Sequence, residues 1–171
     1  MIAPRTIAWA TAVVWFAWTH ATQELLGRHE VFGLATPDFG MVLFVGLIGA
    51  VKKNDVFPLA LLAAVARKSF SVDPGIAILC GFLALAWSAV LLRNLVELTN
   101  PLWRGTLSAA GAMGLAFWLE LVRFARTGGS LPQLDPLLPL AITSGLGALA
   151  LGGFAIRLPG LSPLRRKRAW S

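Results

Sequence analysis

The chain has 171 residues, 57% of them hydrophobic and only 13% charged, with a mean hydropathy of +0.72. A water-soluble domain carries about a quarter charged residues, so this composition excludes a chain that covers itself in water. The net charge of +7 does not argue for nucleic acid, because the basic residues stand in short clusters between apolar runs. That arrangement orients a membrane protein and meets anionic lipid. Cys80 is the only cysteine, which rules out an intrachain disulfide or a thiolate metal cluster, and its place in an apolar run suggests a small packing residue. Length and density of apolar runs predict a single transmembrane helical domain over residues 1–157 and a basic tail over 158–171.

In chain order, Met1 to Leu26 holds the first span, with an apolar centre from Thr6 to Thr19. Arg5 and the apolar run raise the question of a signal peptide, but Trp9, Trp15 and Trp18 and the polar His20, Thr22, Gln23 and Glu24 argue for a retained helix. Phe39 to Val51 and Val56 to Ala66 are short apolar runs separated by Lys52-Lys53-Asn54-Asp55. They read either as two short spans with snorkelling lysines or as a re-entrant hairpin, and the first is preferred on the charge count below.

Asp73-Pro74-Gly75 opens the central helix, and Ile76 to Leu92 runs seventeen residues without an ionisable Asp, Glu, Lys, Arg or His. Seventeen helical residues rise roughly 26 Å, close to the bilayer's hydrocarbon thickness. Asn100-Pro101 is expected to end this helix, since proline disfavours helical backbone in the residue before it. A fifth helix follows over Gly105 to Arg126, then a loop from Thr127 to Pro132, and Pro136 to Ile156 makes a sixth. The expected fold is all-α, a bundle of about six transmembrane helices, two of them short.

With the N-terminus in the cytoplasm, Arg5, Lys52, Lys53, Arg93, Arg104, Arg157, Arg165, Arg166, Lys167 and Arg168 fall inside. Arg28, Arg67, Lys68, Arg123 and Arg126 fall outside, and ten against five obeys the positive-inside rule. Both termini are therefore expected in the cytoplasm.

Small residues recur every fourth position at Thr106, Ala110 and Gly114 and again at Ser144, Ala148 and Gly152. Such stripes let helix backbones approach closely where lipid supplies no hydrophobic push. Each stripe either packs inside the bundle or offers a docking face to another protein's helix. The Gly145, Gly147, Gly152 and Gly153 set would also let the last helix bend.

Glu120 is the sharpest polar candidate, because a carboxylate within a span pairs or handles protons or cations. Arg123 and Arg126 lie within two turns, so a boundary ion pair explains it with less. Arg93 and Glu97 have the spacing of a helix-end charge pair. His20 with Gln23 and Glu24 could suggest a metal or a proton relay, but His29 is the only other histidine. Ser69, Ser71 and Asp73 beside Lys68 are explained by a hydrophilic helix boundary. No Gly-x-Ser-x-Gly, His-Glu-x-x-His, phosphate-binding Gly-Lys or Cys-x-x-Cys motif occurs, so neither a catalytic residue nor a cofactor or metal site is expected.

The order of these features resembles the bacterial rod-shape-determining MreD family. The likeness runs from Gln23 and Leu25-Leu26 through Val31-Phe32-Gly33 to Thr36-Pro37-Asp38-Phe39, which is similar to that family's Pro-Asp opening of its second helix. It continues with a short third helix, the turn at Asp73-Pro74-Gly75, a long fourth helix ending in basic residues, Pro101-Leu102, and Glu120 after an aromatic residue. The chain departs from the family where an acidic residue is usual late in the third helix and Arg67-Lys68 stand instead. The resemblance implies a non-enzymatic, multi-pass inner-membrane scaffold of the cell-elongation machinery for peptidoglycan synthesis. Implied partners are an MreC-like bitopic protein and, through it, the wall-synthesis polymerase and transpeptidase and the MreB filament. It also implies a fold similar to the substrate-binding S-components of energy-coupling-factor transporters. Rival expectations are an accessory subunit of a membrane bioenergetic complex and a small-molecule-binding transport subunit, for which only His20, Gln23, Arg93, Asn94 and Glu120 offer polar groups.

Overall fold

The computed structural model of the chain describes residues 3–27, 35–129, 131–135, 137–155 and 157–164. Among these residues the fold is all-helical, with α1 (Pro4–Gly27), α2 (Phe39–Ile48), α3 (Val56–Lys68), α4 (Gly75–Leu92), α5 (Pro101–Thr127) and α6 (Leu137–Ala155). Helices α4, α5 and α6 are each long and apolar enough to cross a membrane. The cluster Arg165 to Arg168, the segment Arg28 to Gly33, and Ser130, Pro136 and Ile156 lie outside the described residues.

Local chemistry sets most of the helix ends. Asp38, just after Pro37, accepts a hydrogen bond from the Met41 N–H at 2.8 Å and so starts α2. Asn100 does the same for Leu102 N–H at 2.9 Å, with Pro101 as the first helical residue of α5. Gly128 stops that helix with φ 65°, a left-handed conformation that costs glycine nothing, and its N–H bonds Phe124 O at 2.9 Å.

Nine of the ten residues of α2 are buried. A helix that is apolar all round belongs in a core. At about 1.5 Å per residue its rise is only about 15 Å, and protein encloses it on nearly every side. Around it pack Phe16, Leu59, Ile78, Phe82 and Leu115, with Phe44 and Phe82 edge to face at 5.2 Å between ring centroids. Helices alternate in direction. At one end Arg5 of α1 pairs with Asp55 before α3, and Arg93 after α4 donates to the Ile48 and Val51 carbonyls that finish α2. At the other end Arg67 of α3 meets Asp38, and Arg123 of α5 meets Asp73.

Three expectations need correction. The central helix stops at Leu92, not at Asn100. Arg93 turns back to the α2 carbonyls, and buried Leu98 packs against Gly49, where a Cβ would come within 2.9 Å of Leu98 O. Arg93 and Glu97 therefore do not share a helix face; the Glu97 carboxylate accepts the Thr99 hydroxyl at 2.8 Å. Cys80 is exposed on α4 and is not among the buried core residues.

The sequence leaves open whether each small-residue stripe is internal or outward; the most extensive partner of α5 is α6. Their contact runs through Gly105, Ser108 and Ala109 on α5, where a Cβ at Gly145 of α6 would stand 3.1 Å from Ala109 Cβ and 3.3 Å from Gly105 O. Thr106, Ala110 and Gly114 lie on the outward face, and a Cβ at Gly114 would meet nothing within 4 Å. On α6, by contrast, Ser144, Ala148 and Gly152 are all buried. One stripe is internal and the other is turned outward. Past α6, Leu161 and Leu164 are buried and the Trp15 indole N–H donates to Pro159 O at 3.4 Å, so the start of the tail lies along α1.

Candidate functional site

The buried polar groups concentrate where the end of α1, the start of α2 and the end of α3 meet α6. Asp38 is the centre, with a relative exposure of 1%. One of its carboxylate oxygens accepts the Met41 N–H, the other accepts from the Arg67 guanidinium, and its backbone N–H donates to Ser144 Oγ at 2.9 Å. Asp38 thus ties α2 to α3 through its side chain and to α6 through its backbone N–H.

His20 stands beside this pair at 4% exposure, its ring 6.0 Å from that of Phe70. It fits because residue 40 is glycine: a Cβ there would lie 2.4 Å from His20 Cε1. His20 Nε2 and, one turn on, Gln23 Oε1 are buried without a hydrogen-bond partner. The cluster is therefore polar, enclosed and incompletely satisfied.

A second pair lies nearby, before the start of α4 and near the end of α5. Asp73, in the turn before α4, accepts from Arg123 Nε at 2.9 Å and Nη2 at 3.3 Å, and from Ser71 Oγ at 2.9 Å. Lys68 Nζ donates to the Asp73 carbonyl at 2.8 Å. Burial favours the neutral acid, but the hydrogen bonds from Arg123 and Ser71 and the charges of Arg123 and Arg67 outweigh it and lower the Asp73 carboxyl. A carboxyl lowered by folding binds fewer protons in the native state, so its stabilisation is complete above the ordinary aspartate value of about 3.8. It drains away as pH falls through the lower native value. Thermal melts of the chain and of Asp73→Asn should accordingly differ most near pH 7 and converge in strong acid; a constant difference would show that the ionised carboxylate is not what stabilises.

Of the residues singled out in the sequence, Asp38 is the centre of the cluster, and Gln23 lies one turn beyond its His20 on α1. Arg93 and Glu97 sit at the opposite end, while Ala148 and Gly152 are packing positions of α6. Glu120 is half exposed, and its carboxylate lies 3.8 Å from Arg123 Nη1, a weak surface pair beside the stronger one to Asp73. Arg67 and Ser144, the partners of Asp38, are not marked as such by the sequence. Ser144 shows only as a small residue in a stripe, and Arg67 only as a helix-end charge. Nothing local signals a pair made across 29 positions.

Among the described residues no three His, Cys, Asp or Glu side chains come together as a metal site. Comparison with protein-family models, curated proteins and solved structures finds no match to the chain.

Proposed function

We propose that the chain is a non-enzymatic scaffold of the bacterial inner membrane, threaded through it six times with both termini in the cytoplasm. On this reading it serves the cell-elongation and peptidoglycan-synthesis machinery in the manner of the MreD proteins it resembles. The observation that carries the proposal is the division of labour between the last two helices. The stripe on α6 is used up inside, whereas α5 presents Thr106, Ala110 and Gly114 outward beside exposed Trp103, Phe117 and Trp118. A backbone that can be approached closely on a long apolar helix suits the single helix of an MreC-like bitopic partner. The pairs Asp38–Arg67 and Asp73–Arg123 support the same reading, since they brace helices against one another.

A second reading, a small-molecule-binding transport subunit, is favoured by the convergence of His20, Gln23, Asp38 and Arg67 with two unpartnered polar atoms. Affinity purification from native membranes separates the two. A scaffold brings down wall-synthesis proteins, a transport subunit an energy-coupling module, and an accessory subunit its bioenergetic complex. Ala110→Leu should leave the melting temperature of the isolated chain unchanged while recovery of the bitopic partner falls. Full recovery of that partner with Ala110→Leu and Gly114→Leu would remove α5 as the docking helix.

A further inference from the structure

Arg104 is a buried charge with no ion-pair partner among the described residues. It lies in the first turn of α5 with only 6% of its surface exposed. Its Nε has no hydrogen-bond partner, and no carboxylate among the described residues is within ion-pair distance. The guanidinium rests on the last turns of α6, where a Cβ at Gly152 would lie 3.5 Å from Nε and a Cβ at Gly153 3.7 Å from Nη2. A buried cation left without a counter-charge is costly, so a bound anion there would relieve a real penalty.

The surroundings say which anion. This end of the bundle holds Arg5, Lys52, Lys53, Arg93, Arg104 and Arg157 against Asp55 and Glu97. Asp55 is taken by Arg5, and Glu97 is exposed with its carboxylate on Thr99. Close to Arg104, Gly152 and Gly153 in sequence stand exposed Leu102, Trp103, Leu151 and Phe154, apolar surface at this end of α5 and α6 that a free ion would not use. Tryptophan is at home at the headgroup level, and a guanidinium grips two phosphate oxygens at once.

We propose that Arg104 is a binding site for the phosphate of an anionic membrane lipid, its acyl chains lying against the ends of α5 and α6. The site rests on reading these helices as membrane spans, with this end at the cytoplasmic, anionic surface.

The test compares the wild-type chain with Arg104→Leu, Arg104→Lys and the surface control Arg126→Gln at the opposite end of α5, all purified in detergent. Each is melted with phosphatidylglycerol, with phosphatidylcholine or with inorganic phosphate. Phosphatidylglycerol well above its dissociation constant should raise the wild-type and control melting temperatures by about 5–10 °C. Phosphatidylcholine and inorganic phosphate should do much less. In lipid-free detergent Arg104→Leu should melt no lower than wild type, because an unpaired buried charge has been removed, and it should not respond to phosphatidylglycerol. Arg104→Lys keeps the charge without the fork and should retain part of the response, and native mass spectrometry should find one tightly held phosphatidylglycerol on wild type and less on this variant. An equal shift with inorganic phosphate would overturn the lipid assignment. So would an unchanged response in Arg104→Leu, or no response in wild type. Failure of Arg104→Leu to fold, or a lower melting point without lipid, would make Arg104 a structural cap on α6 and sink the proposal. Recovery of the chain in the soluble fraction without detergent would instead overturn the membrane reading itself.

Discussion

Asp38→Ala should lower the stability of the purified chain by about 3–5 kcal/mol, the usual cost of removing one partner of a buried ion pair. The Arg67 side chain is only 18% exposed and cannot escape fully to water when its carboxylate goes. Loss of the helix cap on Met41 N–H adds to the effect, typically by about 1 kcal/mol. Asp38→Asn separates the two contributions, since its amide oxygen can still cap α2 but no longer neutralises Arg67. Unfolding in denaturant should rank wild type above Asp38→Asn and Asp38→Asn above Asp38→Ala. The double variant Asp38→Ala/Arg67→Leu should recover much of the loss, because it leaves no orphaned charge behind. A double variant as costly as the two single changes added together would mean the residues act independently.

The Asp38 result also marks where the sequence was legible. Pro37-Asp38 before an apolar run is a local helix-start signal, and α2 begins at the next residue, Phe39. The number and order of the helices follow in the same way from apolar runs broken by charge, proline and glycine. What stayed hidden was pairing between distant positions. Arg67 has no local feature that distinguishes it from Lys68, yet one reaches Asp38 and the other the Asp73 carbonyl. Asn100-Pro101 is a true signal, but for the start of α5, and the earlier end of α4 is set by Arg93 reaching the α2 carbonyls. On α5 the difficulty is of another kind. Small residues occupy two faces of the helix, Gly105, Ala109 and Ala112 on one and Thr106, Ala110 and Gly114 on the other. Spacing alone cannot choose between them; the choice is made by Leu149 and Gly145 of α6, which fit against the first.

That choice makes the internal stripe the second place where a small change should have a large effect. Ala148 is 1% exposed, and Gly46 of α2 faces the same helix, where an added Cβ would lie 2.7 Å from Ala155 Cβ and 3.1 Å from Gly152 O. Neither obstacle is the free end of a flexible side chain, so α2 and α6 must separate to make room. Gly46→Ala and Ala148→Leu should each cost about 1–3 kcal/mol, the typical range for overpacking a well-filled contact. On the outward face the same chemistry should do nothing of the kind. Gly114→Ala meets no atom within 4 Å and replaces the residue least suited to a helix interior, so it should hold or raise stability by up to about 1 kcal/mol. Thermal unfolding of the isolated chain in one detergent decides between the faces without any partner present. If Gly114→Ala destabilised as much as Gly46→Ala, α5 would be packed through its Thr106 face and its contact with α6 would have to be redrawn. With the expected order, the outer stripe keeps its room for a helix from another protein while the inner one holds α2 and α6 together.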